Sequence, residues 1–290
     1  MARPDITQTA LRIRSLQISE MDLALDWAAA EGWNPGHYDA EPFYAADPQG
    51  FLLGEVDQQP VALISAVRYG AECGFIGFYI VHPAWRGQGY GWTLWQAALT
   101  RLAGRNIGLD GVLAEQANYR HSGFKLGWRN IRYQGQGGAP SQAAAEHTIV
   151  PLASLPFQTV ADYDRAFFPA DRSDFLQSWI SQPLSQALGV VDDGRLIGYG
   201  NLRPCRSGYK IGPLFADTPA TAASLFAALA ARAVPGAPIF LDVPECNGQA
   251  IALAEEHGLQ PVFETARMYT GALPEISLDR TYGITSFELG

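Results

Sequence analysis

The chain of 290 residues is 48% hydrophobic and 17% charged, which is typical of a globular protein with an ample core. Its formal net charge is −9, with Lys125 and Lys210 as the only lysines. A nucleic-acid partner is therefore not expected, because such partners require a basic face. No apolar run is long enough to span a bilayer, so we expect no membrane partner either. Domains cluster near roughly 100 to 150 residues, and the length thus favours two domains.

The first residues, MARPDITQTALRIRSL, lack the apolar core of a secretory signal. From this we expect a cytoplasmic protein. The three cysteines, Cys73, Cys205 and Cys246, are far apart and form no CxxC pair with nearby histidines. We therefore expect free thiols and no metal site.

The first predicted elements are an amphipathic strand at residues 11–17 and a helix that Gly32 is placed to end. Two β-rich runs follow at residues 51–56 and 61–69, joined by a short turn, and a third run covers 75–81. Three consecutive strands of this kind predict an antiparallel meander.

The most informative stretch is Phe75 to Leu102, FIGFYIVHPAWRGQGYGWTLWQAALTRL. Pro83 ends the strand-like run, and apolar residues recur at helical spacing from Trp92 onwards. Between them lies the glycine-rich turn RGQGYG, residues 86–91. Glycines let successive backbone N–H groups converge on one point, and the following helix directs its positive dipole end there. The order of strand, glycine-rich turn and helix predicts a diphosphate cradle; the alternative is a plain strand-to-helix connection.

This stretch resembles the central motif of the GNAT superfamily of acyl-CoA N-acyltransferases, a strand ending in hydrophobic-x-Pro, then R/Q-x-x-G-x-G/A, then a helix. Val81, Pro83, Arg86, Gly89 and Gly91 fall on those positions. The resemblance implies acetyl-CoA as the acyl-donor substrate, with its pantetheine arm on the strand end and its diphosphate on the turn. The implied cofactor-binding residues are Ile80, Val81, Arg86, Gly87, Gln88, Gly89, Tyr90, Gly91 and Trp92.

A further short strand is predicted at residues 107–113, and Tyr119 then stands four residues before Gly123-Phe124. This is the family's Y-x-x-x-G-F spacing, which implies that Tyr119 is the general acid for the leaving thiolate. A phenol with an ordinary pKa of ~10 can donate such a proton. The alternative is a packing role. The sequence departs from the family at Val112, where an asparagine is usual.

The sequence does not place a general base. No carboxylate lies on Phe75 to Val81, where some GNAT enzymes carry one, so Glu72, Glu115, His82 and a water chain to a more distant acid stay open. The aromatic residues of the stretch 33–44 lie beside the acceptor site in the family's fold. They either line an acceptor pocket or cover the edge of the core.

Residues 135–147 are rich in glycine, alanine and serine, which is typical of a linker. We therefore expect an N-terminal GNAT domain at 1–138, a linker at 139–149 and a second domain at 150–290.

The second half repeats the pattern in degenerate form. A strand, turn and helix are predicted at 210–233, but the turn lacks the arginine and the paired glycines, and Pro213 and Pro219 have no N–H to give. At 239–259 the chain resembles the other half of the GNAT pattern, with Ala254 in the tyrosine position. The fold class we expect is α/β (α+β), with two tandem GNAT-like domains, each a mixed, mostly antiparallel sheet flanked by helices. The closing residues 282–289 are predicted to be a strand.

These features predict an N-acetyltransferase that transfers an acetyl group from acetyl-CoA to a primary amine of a small molecule or peptide by direct attack. We expect a monomer or homodimer in which only the first half binds CoA and the second half shapes the acceptor pocket. Two alternatives stay open: a non-catalytic acyl-CoA sensor and an acyltransferase that uses a longer acyl donor.

Overall fold

The structure, a computed structural model, describes residues 10–138 and 148–290. Residues 1–9 and 139–147 lie outside the described residues, and most of the predicted linker falls in the second of these ranges. In the described part of the chain, no helix is long and apolar enough to cross a membrane.

The described first half, up to residue 138, contains six strands and four α-helices. The strands are β1 (Arg12–Ser15), β2 (Phe51–Val56), β3 (Gln59–Tyr69), β4 (Cys73–Val81), β5 (Asn106–Val112) and β6 (Lys125–Gln136). The helices are α1 (Met21–Ala30), α2 (Ala40–Ala46), α3 (Tyr90–Arg101) and α4 (Gln116–His121). The predicted meander is formed by β2, β3 and β4, which pair antiparallel in sequence order.

The second half, described from residue 148 onwards, contains seven strands and four α-helices. The strands are β7 (Thr148–Pro151), β8 (Gln186–Asp192), β9 (Arg195–Pro204), β10 (Tyr209–Ala216), β11 (Pro238–Pro244), β12 (Gln260–Tyr269) and β13 (Thr281–Gly283). The helices are α5 (Phe157–Asp164), α6 (Ser173–Ile180), α7 (Pro219–Ala230) and α8 (Gly248–Glu256).

All thirteen of these strands belong to one sheet, in the order β1-β2-β3-β4-β5-β12-β6-β11-β10-β9-β8-β7, with β13 paired to β10. Only β4–β5 and β10–β11 are parallel pairs among the described strands. The predicted fold class, a mixed, mostly antiparallel sheet flanked by helices, is confirmed.

The two halves exchange a strand. Strand β12 of the second half lies between β5 and β6, while β6 of the first half lies between β12 and β11. Removal of the chain beyond residue 138 would therefore take β12, one of the two neighbours of β5, out of the sheet. The division into domains at 1–138 and 150–290 stays a prediction, and each domain's sheet includes a strand from the other segment.

The hydrophobic cores also cross between the halves. The core under α1 and α2 contains Phe43 and Phe78 of the first half together with Trp179 of the second. The ring of Trp179 stacks on that of Phe43 with 5.7 Å between centroids, and its indole N–H donates to the Gly212 carbonyl at 2.9 Å. Because burying one large side chain stabilises a fold by about 1.5–3 kcal/mol, contacts of this kind fix the halves against each other.

Each half contains one parallel strand pair that separates after a few residues. In the first half, β4 and β5 pair only from Cys73 to Ile76 on β4. An irregularity in the pairing of β4 with β3 follows, where Phe78 has a φ of 48°. A bulge of this kind bends a strand. Beyond it the remainder of β4 leaves β5, and a gap opens between them.

In the second half, the corresponding gap is filled by the chain itself. Strands β10 and β11 pair only over Tyr209 to Ile211, and β13 then lies between them. It pairs with Leu214 and Phe215 of β10, and the Ile284 amide just after it donates to the Asp242 carbonyl of β11 at 2.9 Å. Residues 284–289 are not a strand, contrary to the prediction, because after the Ile284 amide their backbone bonds are to side chains, as when the Leu289 amide donates to the Ser286 hydroxyl and its carbonyl accepts from the Tyr69 hydroxyl.

Candidate active site

The glycine-rich turn leads directly into α3. Gly87 and Gly89 have φ values of 75° and 85°, which residues with a Cβ rarely adopt. The first bond within the helix joins the Thr93 amide to the Gly89 carbonyl at 3.1 Å. The amides of residues 90–92 precede that bond, so they have no acceptor within the helix. This is the arrangement in which a helix N-terminus binds an anionic group.

Gly91 brings this helix end close to the end of β4. A Cβ on Gly91 would lie 2.8 Å from both the Tyr79 hydroxyl and a methyl carbon of Val81. Arg86 links the same elements, since its Nε donates to the Val81 carbonyl at 2.9 Å and its Nη2 pairs with Glu31. Strand end, turn and helix are therefore held as one unit.

A cavity of about 510 Å³ lies in the gap between β4 and β5. Of the predicted cofactor-binding residues, Ile80, Val81 and Arg86 line it, while residues 87–92 form the adjoining turn and helix start. Its other lining residues include Gly77, Phe78, Tyr79, Asp110, Glu115, Tyr119, Phe263, Thr265, Phe287 and Glu288. Strands from both halves therefore build its wall. Glycines that admit a close helix end, free amides and an open strand edge together fit an acyl-CoA.

Tyr119 lies on α4 and reaches this cavity. Its ring packs so closely over Gly111 of β5 that a Cβ there would collide with it, and it contacts Trp95 at 5.6 Å between ring centroids. No hydrogen bond joins its hydroxyl to another described residue. Burial raises the pKa of Tyr119 well above its ordinary value, and the charge of Glu115 raises it further. The hydroxyl is therefore protonated at neutral pH and available as a donor.

The base candidates suggested by the sequence lie in different surroundings. Glu72 precedes the first residue of β4, at the end of the strand away from the cavity. His82 caps the short helical turn that follows β4, where its Nδ1 accepts from the Ala84 amide at 3.3 Å. Glu115 lines the cavity but is exposed and accepts from Asn118 at 2.6 Å. Only Glu115 of these three shares the cavity with Tyr119.

Glu288 is an acidic residue lining this cavity that sequence reasoning missed. It is 3% exposed, and both of its oxygens lack a hydrogen-bond partner among the described residues. A buried carboxylate in this state is costly. The sequence pattern offered no signal for it, because residues 282–289 look like an ordinary closing strand.

Three buried cations lie near Glu288, and its negative charge stabilises the charged form of each of them. Arg132 forms a two-point pair with Asp242 at 2.7 and 2.8 Å, and Arg203 pairs with Asp39 at 3.2 Å. Lys210 donates to the Trp33 carbonyl at 3.2 Å. Burial lowers the pKa of the Lys210 ammonium, and the neighbouring Arg132 lowers it further.

Another buried carboxylate, Asp110, is fully engaged. It accepts from Arg267 at 2.9 and 2.5 Å and from the Asn130 amide at 2.8 Å. Although Asp110 lines the cavity, these bonds make it part of the scaffold that holds β5, β6 and β12 together.

Among the aromatic residues of the stretch 33–44, Trp33 lines the cavity. Phe43 is instead fully buried in the core, where its ring contacts Phe78 at 5.5 Å between centroids. Trp33 therefore lies at the cavity and Phe43 lies in the core, and the prediction that these aromatic residues line an acceptor pocket stays a prediction.

The start of the corresponding helix of the second half is capped by the chain itself. Thr218 caps α7, its hydroxyl accepting from the Thr221 amide at 3.2 Å, and Pro219 occupies the first helical position. Asp217, next to the cap, pairs with Arg280 and accepts from the Tyr163 hydroxyl at 2.7 Å. In the described second half, a cap, a proline and β13 therefore occupy the positions that are open in the first half.

A parallel strand pair that opens beside a glycine-rich turn and a free helix end defines an acyltransferase of the GNAT fold. Comparison with known proteins agrees. Residues 17–124 match the family model described as acetyltransferase (GNAT) family, and residues 160–283 match the one described as acetyltransferase (GNAT) domain. The holothin acyltransferase of Pseudoalteromonas sp. (strain SANK 73390) is 31% identical over 273 residues, 94% of this chain and 92% of that protein. The chain belongs to the GNAT family of acyltransferases and contains two GNAT domains in tandem.

Solved structures share the fold. A crystal structure of a proposed acetyltransferase from Pyrococcus horikoshii has a TM-score of 0.82 at 21% identity, covering 100% of this chain and 99% of that one. A tandem GNAT protein from the clavulanic acid biosynthesis pathway has a TM-score of 0.60 at 15% identity, covering 91% and 100%. The predicted GNAT resemblance and the prediction of an acyltransferase are confirmed. GNAT enzymes use acyl-CoA and act on amines of small molecules or peptides.

Proposed function

We propose that this protein transfers an acetyl group from acetyl-CoA to the primary amine of a small molecule by direct attack. The observation that carries the proposal is the cavity that the end of β4, Arg86 and Tyr119 line together, next to the free amides at the start of α3. A donor and an acceptor held in that cavity would react without a covalent enzyme intermediate, with positioning supplying most of the acceleration.

In this proposal, each part of the site has a distinct role. The amides of residues 90–92 and the Arg86 guanidinium would bind the diphosphate, and the end of β4 at Ile80 and Val81 would bind the pantetheine arm. Tyr119 would protonate the leaving sulfur. Gln88, Gly87 and Gly89 shape the turn around the same group.

The walls indicate the acceptor. The aromatic residues Trp33, Phe263 and Phe287 line the cavity, and so do the acidic residues Glu31, Glu115 and Glu288. We therefore propose a small amine with a flat or apolar body. Holothin, which the name of the 31% identical relative gives as its substrate, belongs in the first acceptor screen.

The experiment is release of free CoA thiol from acetyl-CoA. Holothin, 2-phenylethylamine, spermidine and a short peptide with a free N-terminus serve as acceptors. Acceptor-dependent thiol release with at least one small amine supports the proposal. Binding of acetyl-CoA without turnover of any acceptor would contradict it.

A longer acyl donor is the second candidate, because the relative's name specifies only an acyl group. Propionyl-, butyryl- and hexanoyl-CoA in the same assay decide between the two. The acetyl assignment requires the highest kcat/KM for acetyl-CoA.

A further inference from the structure

Glu288 and Tyr119 line the same cavity although they are 169 positions apart in the chain. Glu288 is 3% exposed, and neither of its carboxylate oxygens has a hydrogen-bond partner among the described residues. By contrast, the other buried carboxylate of this cavity, Asp110, is bound by Arg267 and Asn130. Glu288 therefore lines the cavity with a carboxylate whose lone pairs no described residue occupies.

Glu288 lies in a segment formed by residues 285–289, and hydrogen bonds fix this segment on both sides of Glu288. The Arg172 guanidinium donates to the Thr285 hydroxyl at 3.1 Å, and the Tyr69 hydroxyl donates to the Leu289 carbonyl at 3.1 Å. Within the segment, the Leu289 amide donates to the Ser286 hydroxyl at 3.1 Å. These bonds hold the backbone of residue 288 in one place.

The backbone of Glu288 lies against β4 at the point where β4 begins to separate from β5. A Cβ on Gly77 would collide with the Glu288 carbonyl oxygen, so the segment occupies the space that a side chain on residue 77 would otherwise take. The segment thereby adds a carboxylate to a stretch of β4 that has none of its own.

We propose that Glu288 is the proton acceptor for the amine, supplied to the first-half site by the last residues of the second half. This inference rests on the proposed function. The Glu288 carboxylate takes a proton from the acceptor ammonium and becomes a carboxylic acid. The freed nitrogen lone pair then forms the C–N bond to the thioester carbonyl carbon.

The remaining steps release the thiol and return Tyr119 and Glu288 to their starting protonation states. The C–S bond breaks with its electron pair on sulfur, which takes the proton of the Tyr119 hydroxyl. The Tyr119 phenolate recovers a proton from the new amide nitrogen through solvent. Glu288 returns its proton to solvent, so that one proton is released for each ammonium converted to amide.

A different role for Glu288 would be charge balance. Arg132 on β6, Arg203 on β9 and Lys210 on β10 are buried cations near it, and Asp242 and Asp39 are the acids bound to the two arginines. Ionised, the three cations and three acids sum to zero. If Glu288 served only to balance these charges, its substitution would change the stability of the protein and would leave the pH dependence of turnover unchanged.

The test compares Glu288→Gln with wild type, using acetyl-CoA and the screened amine with the highest wild-type turnover. At pH about 7 we expect kcat/KM to fall about 10²-fold, with the thermal shift given by acetyl-CoA unchanged. As the pH rises to about 10, an alkylamine is increasingly neutral on arrival, and the deficit should shrink at least tenfold. Glu288→Asp, which keeps the charge but shortens the side chain, should lose activity as well.

Glu55→Gln is the matched control, because Glu55 is also a buried glutamate, bonded to Arg14 on the distant β1. It should lower thermal stability and keep wild-type kcat/KM. Wild-type turnover in Glu288→Gln, a deficit that is equal at every pH, or full activity in Glu288→Asp would overturn the inference while leaving acyl transfer intact. Absence of turnover in the wild-type enzyme would instead overturn the proposed function.

Discussion

The backbone of Gly77 lies directly against the backbone of Glu288. A Cβ at residue 77 would collide with the Glu288 carbonyl oxygen, whereas the glycine hydrogen fits. The contact joins β4 of the first GNAT domain to the last residues of the second. A β-carbon at residue 77 would push the backbone of Glu288 away from β4. The position of the Glu288 carboxylate therefore depends on residue 77 being glycine.

Gly77→Ala is therefore expected to lower kcat by up to about 10²-fold, since misplacing a reacting group by about 1 Å can cost that much. Overpacking should also cost about 1–3 kcal/mol of folding free energy. Steady-state kinetics and denaturant unfolding measure the two effects.

The control for this variant is Gly74→Ala on the same strand, where the added Cβ would meet only the end of the Leu102 side chain at 2.9 Å. It should keep wild-type kcat. If Gly77→Ala also keeps wild-type kcat in a folded protein, the position of the segment does not matter for turnover.

Gly89→Asp is expected to abolish the stabilisation that acetyl-CoA gives against heat. The added carboxylate would stand at the helix end proposed to bind the diphosphate, where it repels that group and occupies its space. Gly104→Asp is matched in charge and backbone conformation, because Gly104 has a φ of 82° against 85° for Gly89 and lies after the end of α3. Only the control should keep the wild-type thermal shift; an equal shift in both variants would remove the basis for this diphosphate site.

Much of the first-half site could be predicted from sequence because its parts are local. Strand, turn and helix follow one another within residues 75–102, and glycine positions with positive φ are a property of that short segment. The Y-x-x-x-G-F spacing likewise located Tyr119, since Gly123 and the short helix α4 are neighbours in the chain.

The proposed proton acceptor, Glu288, could not be predicted because its position depends on contacts between distant segments. Glu288 reaches the cavity only because β13 fills the gap between β10 and β11 and the chain then continues over Gly77. The strand exchange of β6 and β12 is equally non-local, because each strand pairs with partners that are distant in the chain. Periodicity predicts that a strand exists and does not predict which neighbour it takes.

Tyr119→Phe removes the hydroxyl and keeps the ring against Gly111 and Trp95. We expect kcat to fall about 10²-fold while the Kd for acetyl-CoA changes less than about twofold, because the lost interaction belongs to the transition state. Tyr133→Phe, a buried tyrosine in the second-half core, is the control and should change neither value. Comparable losses in kcat and in acetyl-CoA affinity would assign Tyr119 to packing.

The pH dependence of kcat follows from the raised pKa of Tyr119. The protonated phenol is the active form, so raising its pKa moves the alkaline decrease of kcat above the ordinary tyrosine value of ~10. We expect no decrease in wild-type kcat between pH about 7 and about 9.5. Glu115→Gln removes a charge that raises this pKa and should move the decrease to lower pH. A wild-type decrease centred below pH about 9 that Tyr119→Phe lacks would show that the pKa is not raised.

The most direct test of one working acyl-CoA site, in the first half, is the stoichiometry of acetyl-CoA binding by calorimetric titration of the full chain. The free amides lie at the start of α3, whereas α7 is capped by Thr218 and the second strand gap is filled by β13. The expected result is one acetyl-CoA per wild-type chain and none for Gly89→Asp. Two sites per wild-type chain, or one site that survives in a folded Gly89→Asp protein, would contradict the account.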